Sequence, residues 1–310
     1  MSFRKAQNVV RIEGILSENN INYTSFTSKS TGAPVEAISG TIKVLVQQEV
    51  NGKSIDNEVP VHMFAMKYTN DGRINPAYES IEKVKNEFVS IAAAGSINHA
   101  DKVRITKGEI RMNEFPGQNG IVSQPRIHTS FVSRAIGDFK PEASFSLEFM
   151  VSSIKREVDA DGIECDPPRL NIQVIVPQYT APSASAMNVD LVPLTVTAPN
   201  VINAIESYWE AGYCYKASGR LNFSSKTEEV YEEVDFGEAQ RVVHTTNVSE
   251  FIVTGGTQVP LEGDFAFDMN DIKAGMAARK QRLEDLKGGK GTGKLAPAQF
   301  TAKKAQDLGF

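Results

Sequence analysis

Little in this sequence of 310 residues serves the chemistry of several protein classes. Two cysteines, Cys165 and Cys214, are too few for a disulfide framework or a four-thiolate zinc site. Four scattered histidines supply no ligand pair at helical spacing, so neither a metal nor a cofactor is expected. No apolar run approaches the ~20 residues of a membrane-spanning helix. The opening MSFRKAQNVVRIEG lacks the apolar stretch of a signal peptide, which predicts a soluble cytoplasmic chain with no membrane partner. Nucleophile-and-base settings and paired acids are missing too, and no catalytic residue is predicted. Cys165 reads as a loop thiol and Cys214 as a buried one. The near-match GGKGTGKL fails as a phosphate loop, because Leu295 replaces the magnesium-binding hydroxyl and Pro297 stands where a helix should begin.

What is present is apolar material, 41% of residues against 23% charged, in a chain long enough for roughly two domains. Net charge is -5, unevenly spread. Residues 1–137 hold 16 basic and 13 acidic side chains, residues 138–265 hold 8 and 20, and residues 266–310 hold 9 and 5. A polyanion would therefore be held at the front and repelled by the middle.

Period-two alternation marks strands at VVRIEGIL, GTIKVLVQ and VPVHMFAM, the last two joined at Asn51-Gly52, a hairpin signal. SENNINYTSFTSKSTGAPVEA between the first two reads as a long polar loop. Asn75-Pro76 predicts a helix start; Tyr78, Ile81, Val84, Phe88 and Ile91 follow at helical spacing, with Gly95 as the stop. KVRITKGEIRMN and RIHTSFVS supply two more strands. Strand, strand, strand, helix, strand, strand is the element order of a five-stranded Greek-key barrel, the oligonucleotide- and oligosaccharide-binding (OB) fold.

The order recurs in SFSLEFMV, RLNIQVIV, NVDLVPLTV, the helix NVINAIESYWEAG, YKASGRLNFSS and VSEFIVTGG. Gly108 and Gly219 fall at the same relative place, as bends or bulges. Trp209 reads as core. The expected fold is mainly β: tandem OB-type barrels over 1–137 and 138–265, each with one helix. A C-terminal helix with Met269, Ile272, Met276, Leu283 and Leu286 on its apolar side then leads into a flexible Lys/Gly-rich tail within 266–310. The tail lysines, 287, 290, 294, 303 and 304, suit a flexible arm adding non-specific DNA contact.

Single-stranded nucleic acid is held by cations on phosphates and by rings that stack bases. If the alternating apolar residues fill the first barrel, Arg11, Lys43, His62, Phe64, Lys107, Arg111 and His128 face outward. The loops flanking that face carry Tyr23, Phe26 and Lys29, and Phe115 and Arg126; Lys67, Tyr68 and Arg73 extend its edge. The second barrel's outward set is Asn171, Gln173, Tyr179, Tyr215, Arg220 and Phe223. Its acidity and the run EEVYEEVDFGE point to self-association or protein docking.

On these residues the front of the chain resembles the replication-type single-stranded DNA-binding proteins. NVVRIEGIL, GTIKVLVQ and VPVHMFAM are similar to that family's first three strands, and the helix and Gly-Glu-Ile-Arg to its helix and fourth strand. The resemblance implies base stacking by Phe64 and Tyr68, a role in coating strands during replication or recombination, and replication or recombination proteins as partners, with a homo-oligomer as a further association. Two barrels in one chain imply a phage- or plasmid-type relative. The family's acidic tail tip is not matched, since only Asp307 precedes Phe310. The competing class is a β-rich structural or protein-interaction component, such as a phage assembly part.

Overall fold

The computed structural model describes residues 3–288 apart from 29–30, 51, 119 and 233–239. Asn51, Lys29, the EEVYEEVDFGE run beyond Glu232 and the tail from residue 289 thus lie outside the described residues, in whole or in part. The chain is mainly β. In order it forms β1 (Asn8–Thr27), β2 (Pro34–Val50), β3 (Lys53–Met66), α1 (Pro76–Glu87), α2 (Ile91–Ala94), β4 (Lys102–Gly117), β5 (Gly120–His128) and the short β6 (Ser133–Arg134). There follow β7 (Glu142–Arg156), β8 (Leu170–Pro177), β9 (Val189–Val196), α3 (Pro199–Tyr208), β10 (Cys214–Glu232), β11 (Gln240–Gly256) and α4 (Met269–Lys287). None of the helices among the described residues is long and apolar enough to cross a membrane.

Pairing closes two circuits. In the first, β1 pairs β2, β2 pairs β3, β3 meets β5 in parallel, β5 pairs β4, and β4 returns to β1. In the second, β7, β8, β9, β11 and β10 repeat that sequence of partners and β10 returns to β7. Alternation explains both: Ile12, Ile42, Val44, Val61, Ile105 and Ile127 fill one interior, and Phe145, Leu147, Ile172, Val174, Leu194 and Phe251 the other.

The equivalence extends to single residues. A bulge breaks β1 between Leu16 and Glu18 and β7 between Val151 and Ser153. Pro60 lies opposite Lys43 in one circuit, and Pro193 opposite Gln173 in the other. Gly108 faces Val10 beside a register shift, and Gly219 faces Phe145 beside another, where a Cβ would enter the Phe145 ring at 2.6 Å.

β1 and β7 also pair with each other, Val10 opposite Phe145, Asn8 opposite Leu147 and Ile12 opposite Ala143. Since Val10 and Phe145 are themselves equivalents, a local two-fold axis passes between them and one chain is arranged as an isologous pair. Two further contacts obey the axis. Asn57 on β3 accepts from Phe223 N–H and donates to the Leu221 carbonyl, both at 2.8 Å. Its counterpart Asp190 on β9 accepts from Met112 N–H at 3.2 Å.

Three expectations need correction. The polar loop after the first strand is largely strand: β1 runs to Thr27 and β2 starts at Pro34, so Tyr23 and Phe26 stand on a hairpin arm. The first helix stops at Glu87. Asp101 takes the Val89 N–H at 2.8 Å while Phe88 is extended, and Ser90 caps the separate turn α2 that ends at Gly95. Third, Tyr215 and Phe223 are buried. Tyr215 stacks on Trp209 with centroids 5.1 Å apart, and Phe223 meets Phe251 edge-on at 5.9 Å. Arg220 and Phe223 are an odd number of residues apart, so one strand cannot turn both outward.

α4, capped by Asp268, spans the two circuits. Gly275 lets it approach the backbone ahead of β9, where a Cβ would lie 2.6 Å from the Met187 carbonyl oxygen. Farther along, Arg279 and Arg282 both reach the Glu114 carboxylate on β4.

Burial holds the Asp190 carboxyl above the usual carboxylate range, against the opposing pull of the Met112 N–H and the charges of Arg111 and Arg282. The native state therefore keeps this proton longer than the unfolded chain. Its stabilising share is complete below the unfolded pKa and is lost as pH rises through the native one. Urea unfolding at a series of pH values should show Asp190→Asn abolishing that loss. Asn57→Ala should cost about 1–3 kcal/mol at any pH, because it leaves the buried Phe223 N–H and Leu221 carbonyl without their side-chain partner.

Candidate nucleic-acid interface

Residues directly opposed across a ladder share a face, so the registers of the first circuit assemble its outer surface. One row runs Asn20, Thr41, His62, His128, Glu109 across all five strands. On one side lie Glu18, Lys43 and Pro60, together with Arg126 opposite Arg111. On the other lie Asn22, Ser39 and Phe64, then Phe26 opposite Val35 on the hairpin arm. Phe115 continues the same side of β4 beyond Arg111 and Asn113, opposite Val122.

The rings are partly open. Phe26 is 44% exposed and tilts against half-buried Phe64 with centroids 6.5 Å apart; Tyr68 just past β3 is 49% exposed. His62 and His128 sit 5.6 Å apart at the centre, with Thr41 Oγ1 2.9 Å from His62 Nδ1. Burial, with Arg126 nearby, pushes His62 down to about 4. Burial, then His62, Arg111 and Arg126, pushes His128 to about 3, so both rings are neutral at pH 7.

Most cations here have a carboxylate. Lys43 Nζ lies 2.8 Å from Glu18 and 3.5 Å from Glu58, and the hydrogen bond to Glu18 leads in raising its pKa. Arg111 is 2.7 Å from Glu109, Lys67 2.5 Å from Glu36, and Arg73 pairs with Asp71. Arg126 has no carboxylate among the described residues. The buried Asn113 amide oxygen, in the orientation that satisfies both groups, accepts from its guanidinium at 2.7 Å.

Of the residues expected from sequence, Phe26, Lys43, His62, Phe64, Tyr68, Arg111, Phe115, Arg126 and His128 come together on or beside this face. Four do not. Tyr23 lies opposite fully buried Ile38, on the interior side, where its hydroxyl donates to Glu82 at 3.0 Å and Lys85 covers its ring. Lys67, odd-numbered like buried Ala65, turns away from Phe64 to the Glu36 rim. Arg11 stands at the β1–β7 seam opposite Ser144, and Lys107 is exposed beside the register shift of β4. Arg73 occupies the exposed turn after β3. The sequence reading missed Asn20, Asn22, Ser39 and Thr41, polar residues with no motif, and the compensating Glu18, Glu58 and Glu109. Only the register brings these acids alongside the cations.

In comparisons with known proteins, the profile of a family described as YorF matches residues 6–289. No curated protein matches the sequence. Among solved structures, the chain is similar to the wild-type single-stranded DNA binding protein from Thermus aquaticus, at 9% identity and a TM-score of 0.48. The match covers 84% of this chain and 96% of that one. A deletion mutant of that protein gives 10% identity and 0.47, covering 84% and 97%. A replication protein A heterotrimer bound to ssDNA gives 10% identity and 0.22, covering 90% and 70%.

The histidine pair predicts a pH signature. An unfolded histidine titrates near 6.5, so between that pH and the native values of about 4 and about 3 the unfolded chain binds more protons. Stability should fall as pH drops below about 6.5. His128→Gln should flatten that fall in acid-unfolding curves, leaving the region above pH 7 unchanged.

Proposed function

The chain belongs to the YorF family, and we propose that it is a non-enzymatic binder of single-stranded DNA, largely indifferent to sequence. Its ligand lies across the outer face of the first circuit, which we read as an OB-type barrel, and the protein coats unwound strands during replication or recombination. Phe26, Phe64 and Tyr68 offer stacking surfaces, Lys43, Arg111 and Arg126 meet phosphates, and the neutral histidine pair lines the path without adding charge.

One observation carries this reading, the contrast between equivalent faces. In the second circuit Gln173 stands where Lys43 does, Thr195 for His62, Asn222 for Arg111 and Glu250 for Arg126. Two residues on from Thr195, Thr197 replaces Phe64. The same scaffold thus carries rings on one face and none at the matching positions of the other, whose central row instead holds the cations Lys155 and Arg220. A purely structural repeat gives no reason for that difference. The second circuit, which we also read as an OB-type barrel, braces the first through the β1–β7 seam.

The carboxylates bear on affinity. Exposed ion pairs are worth about 0–1 kcal/mol, so phosphate can displace Glu18 or Glu58 from the partly exposed Lys43 at small cost. Each exchange releases less counterion than a bare lysine would. Titration of a labelled oligothymidylate short enough to lie on the face alone, across a salt series, should give a slope shallower than about -2, at about -0.7 per phosphate neutralised on a bare cation. Phe26→Ala and Phe64→Ala should each weaken binding about 5- to 150-fold, the equivalent of about 1–3 kcal/mol per stacked base. Wild-type affinity in the double variant, or no binding by the native protein at low salt, would refute the assignment.

A further inference from the structure

Beside the sheet face lies an open groove of about 490 Å3 between the segment preceding β1 and the middle of β4, lined by Arg4, Lys5, Gln7, Lys107 and Glu109 among others. It adjoins the face at one residue. Glu109 ends the central row opposite His128, accepts from Arg111 Nη2 at 2.7 Å on one oxygen, and binds Lys5 Nζ with the other at 2.5 Å. One carboxylate therefore holds a cation of the face and a cation of the groove.

The lining differs in chemistry from the face. No aromatic ring lines it, so bases have nothing to stack on there. Arg4 is engaged, 2.8 Å from Glu148 and lying over the Phe267 ring at 4.3 Å, and forms a wall. Lys5 and Lys107 are exposed, and Lys107 has no carboxylate partner among the described residues. Two long side chains ending in ammonium groups, Lys5 paired with Glu109 and Lys107 without a carboxylate among the described residues, suit a phosphodiester backbone better than a base.

We propose that the strand bound on the first circuit continues past Glu109 into this groove, where Lys5 and Lys107 hold its phosphates and its bases are not read. This rests on the function assigned above and lengthens the site by a segment gripped through charge alone. Glu109 sits at the junction as a competitor: a phosphate arriving there takes over both Lys5 and Arg111.

The test uses the full chain and labelled oligothymidylates from about 5 to about 30 nucleotides, a span that brackets site sizes of about 4–16 per barrel. Lys5→Gln/Lys107→Gln should reach its affinity plateau at a shorter oligomer than the native protein, with a salt slope shallower by up to about 1.4, at about 0.7 for each of two phosphates. Glu109→Gln should act oppositely, tightening binding of the longer oligomers and steepening the slope. Phe64→Ala should weaken every length alike. An unchanged plateau and slope in the lysine double variant, with Phe64→Ala still weakened, would overturn the groove and leave the face standing. Full affinity in Phe64→Ala, or no binding by the native protein, would remove both.

Discussion

The pairing of β1 with β7 is the constraint from which the rest of the molecule follows. It sets Val10 against Phe145, both fully or almost fully buried, and makes a two-fold axis of the contact. Once that pair is fixed, β3 must run beside β10 and β9 beside β4. The contacts of Asn57 and Asp190 are two solutions to one problem at equivalent places. An amide can donate and accept, and satisfies both groups of the facing strand. A carboxylate without a proton only accepts. The Ile110 carbonyl is instead met by Asn8 at 2.7 Å and Gln178 at 3.3 Å, so the symmetry is restored by other residues rather than by Asp190.

Symmetry of backbone with asymmetry of surface is an economical division of labour. The interiors of both circuits are filled by the same kinds of residue, because packing depends on volume and polarity and little else. Outward positions are free of that restraint, and there the two copies differ in charge, aromaticity and hydrogen-bonding character. The acidic middle of the chain is no obstacle to an anionic ligand if its carboxylates lie around the other circuit.

Much of this architecture is legible in the sequence because strand alternation records which side of each strand is covered. The three-strand, helix, two-strand order appears twice in the sequence, and Gly52, Asn75-Pro76 and the paired glycines 108 and 219 punctuate it where the structure turns, caps or bulges. Three things were not legible, each for a stated reason. The parity of a side chain past the expected strand end depends on where the strand truly ends, and this misplaced Tyr23 and Lys67. The helix break at Phe88 is caused by Asp101, a partner distant enough in sequence to leave no local signal. Register is a relation between strands, so the acids facing Lys43 and Arg111 could not be paired from one-dimensional spacing.

The clamp of α4 on Glu114 ties the maturation of the molecule to its synthesis. The Glu114 side chain is 5% exposed, accepts from Ser123 at 2.9 Å, and takes its charged partners from Arg279 and Arg282, more than 160 positions downstream. While a ribosome is still extending the chain through the second circuit, that carboxylate has neither its two cations nor the helix that covers it. The β4–β5 arm, with Phe115 and Arg126 on its other side, therefore reaches its final form only after nearly the whole polypeptide has emerged. A nascent or C-terminally clipped chain would lack the α4 side of that arm.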